Sequence, residues 1–311
     1  MFPKNEKYEA YYNHLMAEIK EGNRNKIIND YLNRLHLYLI DQNYLKDPID
    51  GGFIDIEIDL EKNPLKQNPN YFSEERIAVY TSIYGAYDSI VEPVTVPDNC
   101  DFYIFTDQEV PENSVWEQIE VDFRAYDLEG AENTVKNRFT KMHPYLFFSD
   151  YKYSLYIDGN IKVMTDPTEF IESMNGYGMI LHDHYRVDCV YVEIERSREQ
   201  GLGSDGEYDQ QIAYLEAEGF PKNYGVLECP IIFYEHNNEK TQALLKEWWK
   251  EFLANAKRDQ FHLPLVLWRH GIRTAELAGL GNDLYSNYAF QKVNHTVSEE
   301  DKLKYYGDIS S

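Results

Sequence analysis

Three cysteines in 311 residues are too few for a disulfide framework, and Cys100, Cys189 and Cys229 stand far apart. No CxxC pair occurs, which argues against a cysteine-ligated metal site. The low, odd count suits a reducing compartment, and all three read as small core residues in apolar or strand-like surroundings. Long hydrophobic runs are missing too. Nothing approaches the roughly 20 apolar residues that cross a bilayer, and the opening MFPKNEKYEAYYNHL holds no apolar signal core. The expectation is a cytoplasmic protein with no transmembrane segment. Positive charge is scarce: 30 Lys and Arg against 54 Asp and Glu leave a formal charge of −24. A nucleic-acid binder needs a positive footprint to displace counterions from phosphates, and an anionic membrane surface would repel this chain. Neither is expected as a main partner. A local basic pocket for a small phosphate ligand needs only a few cations and stays open.

Aromatic residues are plentiful at 15%, with 27 Tyr. Tyrosine has a flat apolar body and a polar tip, which suits sugar-binding or partner-binding surfaces; equally well, it is simply the aromatic that the source organism prefers. Residues 1–45 carry apolar positions at helical spacing, with a break at Glu21-Gly22-Asn23. FIDIEIDL then alternates strictly, as a half-exposed strand does. Stretches rich in Pro, Gly and Asn surround it, which sets residues 1–75 apart as a helical extension and linker and 76–311 as the main domain. In the main domain RIAVYTSIY, DFYIFTD, VWEQIEVD, YSLYIDGNIKV, GMILHDHY and ECPIIFYEH read as strands. VKNRFTKMHPYLFFSDY reads as a helix up to Pro144 or just past it. DPTEFIESM reads as a capped helix with Pro at its start. EYDQQIAYLEAEGF and EKTQALLKEWWKEFLANAK are amphipathic helices, and RDQFHLPLVLWRHG is one more, started or kinked by Pro264. Strands alternating with helices predict an α/β fold with a mostly parallel sheet flanked by helices. There is no internal repeat.

Ligands of open α/β sheets bind beyond the carboxyl ends of the strands. Three strands end suggestively: around Thr81 to Tyr87, at Thr106-Asp107, and at Asp158-Gly159-Asn160. Asp158 and Asn160 offer the oxygen ligands that Mg²⁺ and Mn²⁺ choose, and Gly159 permits close approach. The same DGN is also a common turn. Lys136, Arg138 and Lys141 concentrate positive charge within six positions of an acidic chain. They suit a diphosphate, or form a solvated helix face.

YTSIYGAYD, FYIFTD, KNRFTKMHPYLFFSDYKYSLYIDGNIKV, YLEAEGFPKNYGVLECPIIFYEHN with WWKEF, and RDQFHLPLVLW together resemble the glycosyltransferase-like family once catalogued as domain of unknown function 616. That family is associated with bacterial polysaccharide and capsule gene clusters and with plants. The resemblance covers roughly residues 76–272. It implies a GT-A-type, Rossmann-like fold that moves a sugar from a nucleotide diphosphate sugar, UDP-linked by default, to a glycan hydroxyl with a divalent cation, Mn²⁺ or Mg²⁺. By that resemblance Asp158 and Asn160 match the metal and diphosphate position, and His295 in QKVNHTV is a candidate further ligand. Thr81, Gly85, Tyr87 and Asp107 match nucleotide-facing strand tips, and Lys136, Arg138 and Lys141 match the basic segment facing the diphosphate. Asp259 and Gln260 match an Arg-Asp-Gln motif, in which Asp259 is the candidate base, or a residue that holds the donor sugar, or simply a helix cap. The segment before CVY departs from the family spacing. A strand is expected to carry His184 and Arg186, with Glu193 beyond, into the site. Residues 195–210 are the candidate acceptor loop. The alternatives are a metal-dependent hydrolase using the same acids, and a non-catalytic scaffold of a polysaccharide assembly complex.

Overall fold

The structure is a computed structural model that describes residues 75–281, 284, 285, 287 and 289–295. The expected N-terminal extension, all but its last residue, lies outside the described residues.

Seven consecutive buried residues, IAVYTSI, form β1 (Ile77–Ile83). A strand buried on both faces reads as a continuous apolar run and belongs inside a covered sheet. It is flanked in parallel by β2 (Cys100–Thr106) and β4 (Tyr153–Asp158). β3 (Glu117–Gln118) edges β2, and β6 (Met179–Asp183) closes the far side against β7 (Leu227–Tyr234). The order is β3-β2-β1-β4-β7-β6. β7 alone in this sheet runs antiparallel, to both β4 and β6. The strand order reverses between β1 and β4, which is where an open α/β sheet leaves a crevice beyond the strand ends.

Helices cover the sheet. α1 (Asn133–Met142) and the short α2 (Pro144–Phe147) lead into β4. α3 (Val190–Glu199), α4 (Asp205–Glu218), α5 (Glu239–Ala254) and α6 (Asp259–Arg269) follow. Ser204 and Asn238 cap α4 and α5 by accepting from Glu207 and Lys240 backbone N–H groups, each satisfying an orphan donor. One face of the sheet packs Tyr80, Phe105 and Tyr156 against Met142, Trp248, Phe252 and Leu263 from α1, α5 and α6. Its other face packs Val79, Phe102, Leu155 and Ile157 against Phe170 and Leu280. Each such side chain contributes about 1.5–3 kcal/mol by leaving water.

Several expectations change. VWEQIEVD keeps only two strand residues, both exposed, because an edge position pairs on one side alone. DPTEFIESM is capped by Asp166 as expected but winds as a 3₁₀ helix over Pro167–Ser173. α6 runs straight through Pro264 and does not start at it. CVY does not continue a strand: Cys189 is the residue before α3, and the helix takes up Glu195–Glu199 as well. The candidate acceptor loop over 195–210 therefore shrinks to 200–204. The segment QKVNHTV is not merely a polar tail, because β8 (Phe290–Lys292) pairs antiparallel with β5 (Ile161–Val163) in a second small sheet. That pairing brings the C-terminal segment back to the tip of β4.

The tyrosines have a structural use. Buried hydroxyls need partners, and Tyr80 and Tyr234 both donate to the carbonyl of Lys141, at 3.0 and 3.2 Å. They fix the end of α1 where it meets the strand tips.

Candidate active site

Beyond the β1 and β4 tips lies a cleft of about 630 Å³, within the size range of small-molecule sites. Its lining includes seven of the chain's 30 Lys and Arg side chains: Arg138, Lys141, Arg186, Arg196, Lys257, Arg258 and Lys292. Five acids face them, Asp88, Asp158, Glu193, Glu228 and Asp259. The whole chain has the opposite ratio, 30 bases to 54 acids. The cleft is where an acidic protein keeps its local positive field.

The centre is an ion-paired set. Asp259, the first residue of α6, is 5% exposed and Lys141 is 1% exposed. The Lys141 ammonium meets the Asp259 carboxylate at 2.5 Å, and Arg138 Nε approaches the other oxygen at 3.2 Å. Burial pushes the Asp259 carboxyl up, but Arg138 and Lys141 outweigh it and hold the group far below the usual carboxylate range. The side chain does not cap its helix. The indole N–H of Trp248 donates to the Asp259 carbonyl at 2.8 Å, which fixes the first turn of α6. On the other side, Lys141 lies 3.9 Å from Asp158 and 4.9 Å from the Tyr156 ring centre. The Tyr156 hydroxyl donates to Asp158 at 2.7 Å and orients it. Asp158, Arg138, Lys141 and Asp259 thus form one continuous group across the cleft.

The other sequence-derived residues divide. Tyr87, His184, Arg186, Gln260 and His295 also line the cleft. The His295 ring packs edge-on to Tyr87 at 5.0 Å, and its Nδ1 lies 3.0 Å from both Asp88 oxygens. His184 accepts at Nδ1 from the backbone N–H groups of Arg186 and Val187, at 3.2 and 3.1 Å. Burial, aided by Arg196 and Arg186, lowers its pKa to about 3, so it is a neutral ring with its proton on Nε2, 3.6 Å from Glu193.

Five residues, Thr81, Gly85, Asp107, Lys136 and Asn160, do not reach the cleft. Thr81 is buried within β1, on the face shared by Val79 and Ile83, and its hydroxyl has no hydrogen-bond partner. Asp107 accepts from the Gly85 N–H with both oxygens at 3.0 Å, closing the loop after β1 where Gly85 has φ 68°. Lys136 lies over the Phe123 ring. Asn160 is 2% exposed, and its amide donates to the Val293 carbonyl at 3.0 Å and lies 3.4 Å from His295 Nε2. The amide therefore fastens the C-terminal strap and does not face the cleft. Among the described residues no group of three or more His, Cys, Asp or Glu stands at metal-holding geometry. Asp158 at the β4 tip offers one carboxylate, and one or two suffice when phosphate oxygens and water complete the shell of a hard cation.

Sequence reasoning passed over Asp88, Asn137, Arg196 and Arg258, although Asp88 ends the quoted YTSIYGAYD and Arg258 opens Arg-Asp-Gln. Gly159 has a packing reason. A Cβ there would lie 2.7 Å from Ile83 Cγ1 and 3.4 Å from Asp88 Cβ. Gly159→Ala is expected to cost about 1–3 kcal/mol through overpacking and to displace the Ile83 side chain at the end of β1; urea denaturation measures the loss. Unchanged stability would show that the two tips can part freely.

An α/β sheet with a cation-rich cleft at its topological switch point defines a protein built to take a small anionic ligand. The chain belongs to the TOD1/MUCI70 glycosyltransferase-like domain family, which it matches over residues 49–295. It is 23% identical over 175 residues to the probable hexosyltransferase MUCI70 of Arabidopsis thaliana, a match that takes in 50% of this chain and 29% of that protein. The chain thus corresponds to less than a third of that relative's length. A solved structure, the apo form of the bifunctional glycosyltransferase WbbM, aligns with 64% of this chain and 38% of its own at 12% identity and a TM-score of 0.37. Among the described residues no helix is long and apolar enough to cross a membrane.

Proposed function

We propose that the chain transfers a glycosyl group from a nucleotide diphosphate sugar to a hydroxyl of a glycan. The observation that carries this is the cleft itself: seven cations line it in a chain of charge −24, with Lys141 and Arg138 grouped beside Asp158 at the β4 tip. Fixed cations aimed at a leaving diphosphate stabilise the charge that grows on it as the glycosidic bond breaks. Lys141 and Arg138 are the residues for this role, and the Tyr80 and Tyr234 hydroxyls keep the Lys141 backbone from moving. Asp259 acts as their counterion. A carboxylate held that far below its usual range is a poor proton acceptor, so the base reading of Asp259 gives way to a positioning one. A divalent cation, Mn²⁺ or Mg²⁺, would sit at Asp158, its shell completed by phosphate oxygens and water, and add neutralising charge on the diphosphate. UDP is the first donor nucleotide to try.

The test is thermal stability with UDP, GDP and CDP, each with and without Mn²⁺. A ligand of the folded state at about 100 times its Kd adds about 2.7 kcal/mol. One nucleotide is expected to raise the melting temperature by several degrees, more so with the metal. No rise with any of them would overturn the transferase reading.

A further inference from the structure

The β6 side of the cleft holds a second set of charges that the diphosphate site does not use. Arg196 from α3 and Arg258, just before α6, line it together with Glu193. Glu193 is 8% exposed. Burial raises its pKa, and the charges of Arg258 and Arg196 pull it back, so both guanidiniums act on this one carboxylate. Among the described residues neither arginine has a carboxylate within ion-pairing distance, and Arg258 Nε is a buried N–H without a hydrogen-bond partner. Lys257 does not join them: its ammonium donates to the carbonyls of Phe252, Leu253 and Asn255, at 3.2, 2.8 and 3.0 Å. His184 adds no charge, being neutral. Arg258 also acts on Asp259, which Lys141 and Arg138 already neutralise, so Arg196 and Arg258 are left in a half-enclosed place with only Glu193 between them, an arrangement an added anion would stabilise.

The same end carries aromatic surface. The Tyr185 ring lies parallel to His184, at 10° and 5.7 Å between centres, and Tyr285 meets it edge-on at 5.1 Å. Tyr285 is 50% exposed, high for a large aromatic ring lining a cleft. Flat rings with polar tips take the apolar face of a sugar while leaving its hydroxyls to water. A guanidinium fork matches a carboxylate with two parallel hydrogen bonds.

We propose that this end of the cleft binds a carboxylate-bearing sugar residue, its acid group between Arg196 and Arg258 and its ring against the exposed Tyr285. The proposal rests on the transferase reading and names its substrate class: a hexuronate, on either the acceptor glycan or the donor sugar. β6 is the sheet edge remote from β2, two strands away from the Asp158 tip. Arg258 directly precedes Asp259 and acts on it, so the acid subsite adjoins the diphosphate site.

Titration calorimetry of the full chain decides it. The first pair of probes is a hexuronate disaccharide and its carboxyl-reduced neutral counterpart. The second is a UDP-hexuronate and the matching UDP-hexose. Wild type is expected to bind the acidic member of one pair about tenfold tighter, the worth of one charge-assisted bidentate contact. Arg196→Gln is expected to shrink that preference to about twofold, and Arg196→Lys to restore part of it. Tyr285→Ala is expected to weaken the acidic and neutral members of the pair alike. A preference within the disaccharide pair places the acid on the acceptor, and within the nucleotide pair on the donor. Equal binding, or no binding, of both members in both pairs overturns the proposal, as does a preference that Arg196→Gln leaves intact. The transferase reading is scored separately by nucleotide stabilisation of wild type. Stabilisation without acid preference leaves that reading standing and sinks this one. Acid preference without nucleotide binding supports the acid subsite and sinks the transferase.

Discussion

Replacing Asp259 with alanine is expected to lower the stability of the fold by about 3–5 kcal/mol, because it takes the near counterion from the buried Lys141 and the half-buried Arg138 and leaves Lys141 with Asp158 at 3.9 Å. Lys141 cannot swing out to water easily. Its side chain is 1% exposed, and its carbonyl is held by the Tyr80 and Tyr234 hydroxyls. Asp259→Asn keeps the shape but not the charge, so most of the loss is expected to remain. Urea denaturation at pH 7 measures both variants. Acid gives an independent reading. The Asp259 carboxyl is depressed in the fold, while in the unfolded chain it titrates near about 3.9. Its contribution is therefore complete above that unfolded value and is lost as the pH falls below it toward the folded one. Wild type is expected to lose stability faster than Asp259→Asn between about pH 5 and pH 3, in the range where the unfolded carboxyl takes up its proton. The counterion role ties lost transfer to lost stability, whereas a general base would act on transfer alone. Asp259→Asn with wild-type stability and no transfer would restore the base.

The same contrast explains what the sequence made legible. β1, β2 and β4 could be read because burial on both faces produces unbroken apolar runs such as IAVYTSI. The direction of β7 could not, because a buried strand has the same composition whichever way it runs. α3 was missed because it opens with Val190, Tyr191 and Val192, all strand formers. Yet its buried positions Val190, Glu193, Ile194 and Ser197 fall at helical spacing, a signal that was present. Arg138 and Lys141 were legible as a concentration of positive charge, but Asp259 only through resemblance, since Lys141 and Asp259 are 118 positions apart. The pairing of His295 with Asp88 spans 207 positions and depends on a three-residue strand, β8. Asn160 was read with Asp158 because the two offer oxygen ligands on either side of a glycine at a strand tip. The strand ends at Asp158, and the turn through Gly159 carries the Asn160 amide to the C-terminal strap instead.

Asp158 should show the reverse of Asp259: a large loss of function with little loss of stability. Its side chain is 29% exposed, so it is partly hydrated, and removing it strands no fully buried charge. What it gives up within the fold is the hydrogen bond from Tyr156, worth about 1 kcal/mol. What it gives up in the cleft is a carboxylate at the β4 tip, beside Lys141, where the diphosphate and its cation are proposed to lie. Asp158→Ala is expected to cut glycosyl transfer by about 10²–10³-fold, the usual cost of one group aimed at developing charge. The melting temperature without ligand should stay within a few degrees of wild type, and the metal-dependent nucleotide shift should vanish. Asp158→Asn separates the two contributions. It can still accept from Tyr156 but carries no charge, so it should regain the unliganded stability and not the nucleotide shift. If Asp158→Asn instead regains the shift, the carboxylate charge is not what the nucleotide senses. Asp158 would then be there to orient Tyr156 and Lys141, and the cation would belong with Asp88 and His295.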